Sequence, residues 1–302
     1  MNFQRVAGPL VEDKRKRIFV TYLAFSEANQ LALLKKDHTR TLDNYVRSLV
    51  EANSRINGLQ VFADAQTENK IREITGAEHL PIIAVKDDVV LEMRERFLRY
   101  LVDGAKSMLS GRGLSLEAEA DYLAVTHAKL HRLLDAAHLN EKSDDFTWID
   151  AGIFMPTHSQ KHGRRPYSIN QEGSGEVVYA SSFDPREIWG RDSFSERVLT
   201  NISKSQLCGP AFTLTRGAIS PGMDVSSELI DRSIRKFGYI PTEQCTYFLA
   251  FLHFGHSPKY ISRHYRDIYK KVLSGPRPSH LESFLGWRIL RQYESAQTWT
   301  DW

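Results

Sequence analysis

Cysteine is scarce: the 302 residues contain only Cys208 and Cys245, with no CxxC spacing. That pair supports neither a zinc knuckle nor a disulfide framework, so a reducing compartment is the expected setting. Long apolar runs are also missing. None approaches the roughly 20 residues that a membrane span requires. The opening stretch MNFQRVAGPLVEDKRKRIFV is broken by charges before any signal-type apolar segment develops, and a cytoplasmic location is expected. Charge of one sign is not in excess either. Forty Lys and Arg stand against 37 Asp and Glu, for a net charge of +3, which permits an anionic partner without demanding one. No internal repeat is visible.

What the chain does have is an ordinary globular balance, 41% hydrophobic and 25% charged, in a length that suits one large domain or a core domain with an appendage. The first half alternates strand and helix signals. KRIFVTYLA (16–24) is β-branched and aromatic and reads as a buried strand. From Thr41, the spacing of Leu42, Tyr45, Val46, Leu49 and Val50 predicts a helix with one apolar face, closed by Asn57-Gly58. GLQVFADA (58–65) predicts a second strand ending on Asp64, TENKIREIT a short helix, and LPIIAV (80–85) a third strand. This order argues for a parallel sheet of Rossmann type.

Helices are expected over about 88–109 and 117–139, then a strand FTWIDAGIF. A long polar, basic loop covers 156–175, and a strand is read at 176–183. A longer strand, LCGPAFTLTRGAI (207–219), follows. A helix capped by Asp224 and stopped by Gly238 comes next, then one capped by Thr242, and a last helix at 280–295. The division expected is a domain over 1–255 and a basic, aromatic helical extension over 256–302.

Asp150 is the residue that asks for an explanation. It follows Phe146-Thr147-Trp148-Ile149, and an ionised carboxylate there is costly unless paired, hydrogen-bonded or bound to a cation. In open α/β sheets ligands bind at the carboxyl ends of the strands, where Asp64 and Asp150 both fall. Asp150 can be a ligand for Mg²⁺ or Mn²⁺ through a hard oxygen, with Ala151-Gly152 allowing close approach. It can equally cap a turn. His127 and His131 stand i, i+4 on a helix, but without the Glu of a metalloprotease they predict no zinc site. Lys129 between them reads either as a phosphate-pairing cation or as plain helix surface.

The segments FTWIDAGIF, HAKLHRLLDAA, LCGPAFTLTRGAI and TEQCTYFLAF occur in an order and spacing that resembles the HtrL/YibB-like (WlaTC-type) bacterial glycosyltransferases. The resemblance covers roughly 16–260 and is best at 126–154 and 207–254. It implies a GT-A-like fold and transfer of a sugar from a nucleotide-diphosphate donor, a UDP-sugar, to a hydroxyl. On it, Asp150 matches the metal-binding acid, with Trp148 where an Asp-x-Asp motif has its first acid. Glu243 matches the carboxylate facing the reacting sugar, a base in an inverting enzyme or an electrostatic partner in a retaining one. Gln244 follows it, and Thr242 replaces the preceding acid. Thr21, Tyr22, Asp64, Lys129 and Gly152 would contact the nucleotide or donor sugar, and Mn²⁺ or Mg²⁺ is the implied cofactor. Of His253, His256 and His264, His256 is the best-placed further metal ligand.

The acceptor implied is a bacterial surface glycan, and a 5-hydroxymethylated DNA base of a phage is the second choice. The basic tail after Ser257 and the cluster HSQKHGRRPY (158–167) keep that DNA reading open, and the cluster is also a candidate lid. A further alternative is a catalytically silent nucleic-acid-binding or interaction protein, suggested by the acids missing at Trp148 and Thr242.

Overall fold

The computed structural model describes residues 16–24, 40–75, 80–86, 88–154, 168–182, 198–199, 209–262 and 265–295. The basic cluster 158–167, Cys208 and His264 lie outside the described residues.

The strand β1 (Arg17–Leu23) is buried along its whole length, which is why it reads as a continuous apolar run. It is followed by α1 (Leu42–Arg55), β2 (Leu59–Ala63), α2 (Ala65–Thr75) and β3 (Ile82–Ala84). Thr41 caps α1, its Oγ1 accepting from the Asn44 N–H at 3.3 Å. Tyr45, Val46, Leu49 and Ala52 are the buried face of α1, while Val50 points to solvent. The helices α3 (Asp88–Val102), α4 (Leu116–His127) and α5 (Lys129–Leu139) then lead into β4 (Asp145–Ile149).

These strands form a sheet of order β3-β2-β1-β4-β6, where β6 is Ala211–Thr215. The first four are mutually parallel, and β6 runs antiparallel to β4 with Ile149 opposite Ala211. The fold is therefore mixed α/β, with a mostly parallel sheet flanked by helices. Side chains alternate across it. Ile18, Val20, Phe146, Trp148 and Phe212 face one layer with Leu130, Leu133 and Phe251. Phe19, Leu23, Val61 and Ile149 face the other with Val46, Leu49 and Leu273. The sheet grows from β1 outward to β3 and then restarts on β1's other side with β4. The carboxyl ends of β1 and β4 are thus its topological switch point.

Four elements differ from the sequence expectation. The helix predicted at 117–139 is divided at Ala128, which has ψ near zero and is fully buried. The strand predicted at 207–219 ends at Thr215, and α6 (Arg216–Phe237) starts there rather than at Asp224, carrying Pro221 inside it. Pro221 lacks the backbone donor that a helix interior uses. The entry to α6 is secured from its side, since the Arg216 guanidinium donates to the carbonyls of Ala137, Asn140 and Ser143 at 2.6–2.8 Å. Gly238 ends α6 in the left-handed conformation, φ 59°, where it was expected.

The strand predicted at 176–183 shrinks to β5 (Ala180–Ser182), which leaves the main sheet to pair with β7 (Tyr260–Ser262). Between them α7 (Glu243–His253) is capped by Thr242 and buried almost all round. The chain continues into α8 (Tyr265–Ser274) and α9 (His280–Ser295). None of the described helices is long and apolar enough to cross a membrane.

The segment after residue 255 is tied to the first strand by one buried side chain. The Arg17 guanidinium donates to Thr147 Oγ1 and Thr213 Oγ1, both at 2.6 Å, and so spans β1, β4 and β6. It also donates to the Val272 carbonyl at 3.0 Å and the Asn170 carbonyl at 3.1 Å. The last turn of α8 thereby receives the cation that helix C-termini favour.

Candidate functional site

Three elements converge at the carboxyl end of β4. Asp150 is the first residue past the strand. Its N–H donates to the Pro210 carbonyl at 2.9 Å, and its own carbonyl accepts from Ile153 N–H at 2.9 Å, which starts the turn containing Gly152. Lys129 is the first residue of α5, and Glu243 the first of α7.

Lys129 Nζ donates to Asp150 Oδ1 at 3.0 Å and to Glu243 Oε1 at 3.1 Å. The Trp148 indole N–H donates to the same Asp150 Oδ1 at 2.7 Å, and its ring stands 5.5 Å from the ammonium. The side chains of Lys129 and Glu243 are 7% and 9% exposed, while that of Asp150 is 37% exposed. Burial alone disfavours the lysine's charge, but the Asp150 and Glu243 carboxylates outweigh it and raise the Lys129 pKa. The ammonium is charged at neutral pH. Asp150 is thus the accessible member of the group, and its Oδ2 accepts no hydrogen bond from the described residues.

Gln244 and Gly152 belong to the same rim. A Cβ on Gly209 would meet the Gln244 amide at 2.7 Å, so the glycine makes room for that side chain beside Pro210, the backbone partner of Asp150. Gln244 Oε1 is buried with no partner. Tyr22 packs under the Arg132 guanidinium at 4.7 Å, one helical turn along α5 from Lys129. Thr21 points to the opposite face of the sheet from Tyr22 and Trp148, with its hydroxyl buried and unpartnered.

Asp64 occupies the same sheet end two strands from Asp150, about 10 Å away by strand spacing. Its carboxylate caps α2, accepting from the Thr67 N–H at 2.8 Å and Thr67 hydroxyl at 2.6 Å. Each of its oxygens thus accepts one bond from Thr67. His256 is not brought to Asp150. It lies beyond the far end of α7 from Glu243, and eleven residues at 1.5 Å rise put about 16 Å between the two ends. There it lines a separate cavity of about 480 Å³ with Thr215, Pro258 and Lys259.

Two residues near the site were read in the sequence for other roles, Tyr45 as part of an apolar helix face and His127 as one of a histidine pair. Tyr45 lies close enough to Asp150 and Tyr122 for their charges to act on its phenol, which burial pushes up to about 12 against a hydrogen bond with Arg40. His127 is fully buried behind Glu243. Its Nε2–H donates to the Pro241 carbonyl at 3.1 Å, and Tyr247 donates to the His127 carbonyl at 2.7 Å. Desolvation lowers the His127 pKa to about 4, with Glu243 opposing, so the imidazole is neutral. Both rings are buried, and no local pattern in the sequence shows which charges lie near them.

The donor set does not fit a divalent cation held by side chains. Oδ1 of Asp150 and Oε1 of Glu243 are both occupied by the ammonium. Among the described residues no three His, Cys, Asp or Glu converge. A dication on Asp150 would stand within about 5 Å of Lys129 Nζ. Their repulsion is on the order of 6 kcal/mol at an effective dielectric of about 20.

No protein-family model matches the sequence, so the resemblance to HtrL/YibB-like enzymes stays a likeness of pattern. No curated relative matches either. Among solved structures, apo mouse xyloside xylosyltransferase 1 is similar, with 8% identity and a TM-score of 0.40 over 88% of this chain and 96% of that one.

Proposed function

We propose that this protein transfers a sugar from a nucleotide-diphosphate donor, a UDP-sugar, to a hydroxyl of a glycan, and that the reaction takes place over Asp150. The observation that carries this reading is the buried Lys129 ammonium holding two carboxylates at the switch point of a mostly parallel sheet. Perturbed, converging charges in that position are characteristic of reactive sites.

In the transfer, the bond between the anomeric carbon and the diphosphate oxygen breaks, and the electron pair leaves on that oxygen. The acceptor oxygen bonds to the anomeric carbon and gives up its proton. Asp150, more exposed than Glu243, is the carboxylate placed to face the positive charge that develops on the sugar and to take that proton. Glu243 is held on Lys129 from behind and keeps the ammonium aimed at Asp150. On this reading the roles assigned on resemblance are exchanged: the acid after the strand acts on substrate, and the acid that opens α7 positions.

A glycan acceptor is favoured over DNA by the state of the C-terminal cations. Lys259 pairs with Glu176 at 2.7 Å, Lys271 with Glu282 at 2.6 Å and Arg291 with Glu294 at 2.9 Å. Cations already paired with carboxylates are less available to neutralise phosphates, and these three are so paired.

The deciding experiment incubates the protein with labelled UDP-, GDP- and CMP-sugars and lipooligosaccharide acceptors. Transfer of label, reduced at least about 100-fold in Asp150→Asn, is expected. Absence of donor binding by calorimetry across the panel would reject the reading.

A further inference from the structure

We infer that Lys129 Nζ fills the position a divalent cation would take between Asp150 and Glu243, so that this site works with a built-in ammonium and no metal. The geometry is that of a bridging cation. One charged atom stands 3.0 Å from one carboxylate and 3.1 Å from the other, at the meeting of β4, α5 and α7. The ring of Trp148 supplies a third, electron-rich contact, and its N–H fixes the same carboxylate oxygen.

The backbone gives the ammonium this position. Ala128 interrupts the helical run immediately before Lys129, and Lys129 opens the next helix with its side chain almost wholly enclosed. A lysine on a solvated helix face would sweep many rotamers, whereas here two carboxylates and a ring define one. Two negative charges so close together repel each other unless a cation lies between them, and that requirement is met by the chain itself. A primary ammonium offers three donors and no exchangeable water, so it can orient carboxylates but cannot carry a phosphate's oxygens in its own coordination sphere. The donor's diphosphate would then be neutralised by groups other than a shared metal.

Occupancy of the cation position is independent of the transferase reading; only metal-free turnover rests on it. The test titrates Mn²⁺ into the full-length protein, followed by calorimetry and by the manganese paramagnetic resonance signal. The wild-type protein is expected to leave the signal of free Mn²⁺ unchanged. Lys129→Ala, which empties the position and leaves both carboxylates, is expected to bind Mn²⁺ at least about tenfold more tightly, and Mn²⁺ should raise its melting temperature. Adding Asp150→Asn to Lys129→Ala should abolish both effects.

Mn²⁺ binding by the wild type that disappears in Asp150→Asn would overturn the inference. So would a folded Lys129→Ala protein that gains no Mn²⁺ binding. The comparison of wild type with Asp150→Asn needs no Lys129 variant and decides the matter even if Lys129→Ala fails to fold. Where transfer is detected, EDTA should leave its rate within about twofold, and loss restored by Mn²⁺ would reject metal-free turnover. If no donor binds at all, the transferase reading falls while the titration result stands.

Discussion

At the scale of single residues, the site owes its character to charges that cannot reach water. His127 makes this measurable. Its folded pKa, about 4, lies below the ordinary 6.5, because burial penalises the imidazolium. Between those two values the unfolded chain binds a proton that the folded chain refuses, so stability rises with pH. The stability contributed is fully present above about pH 6.5 and is lost as the pH falls toward 4, by an amount on the order of 3 kcal/mol. Urea denaturation at pH 7 and pH 4.5 should show the loss, and His127→Gln should flatten that part of the profile. A profile unchanged by the substitution would mean that the imidazole titrates normally. Asp150 was legible in the sequence because a carboxylate directly after a buried strand is an anomaly. Lys129 carried no such mark: a lysine in a helix looks like solvated surface, and only the packing of α5 against β4 turns it inward.

At the scale of elements, close backbone contacts decide where helices sit. Gly286 in α9 shows this. A Cβ there would stand 2.3 Å from the Pro258 carbonyl oxygen, a backbone atom with little freedom to retreat. Gly286→Ala is expected to lower stability by about 2 kcal/mol through overpacking, read as a lower urea midpoint with an unchanged slope. No shift would show that α9 can slide on the loop at Pro258. Elements with a clear period or cap were readable: β1, the apolar face of α1, and the Thr242 cap of α7. The beginning of α6 was not. Gly217, Pro221 and Gly222 are turn signals by composition, and they are overruled by the three carbonyl bonds that Arg216 makes to residues 73–79 positions away. The shortness of β5 was hidden for the same reason, since its partner β7 comes nearly eighty residues later.

At the scale of the whole molecule, the parallel βαβαβ half followed from the alternation of strand and helix signals, but the strand order and the reversed β6 did not. Both depend on pairings between distant segments, and no local pattern encodes them. The central fastening is Arg17. Replacing it with Leu removes its bonds to Thr147, Thr213 and the carbonyls of Asn170 and Val272, and it leaves Asp145 buried without its neighbouring cation. The expected loss is about 3 kcal/mol in urea denaturation, and Arg17→Lys should recover little, because a point charge cannot serve several acceptors in a fork. Stability restored in full by Lys would show that charge alone matters.

The same guanidinium also sets a timetable for synthesis. It leaves the ribosome 256 residues ahead of Leu273, the most distant carbonyl within its reach. At ordinary elongation rates of about 5–20 residues per second, this buried charge waits more than ten seconds for its final acceptors. A nascent chain in that interval holds an incomplete interior, and a stalled or prematurely stopped product belongs among the clients of chaperones and proteases.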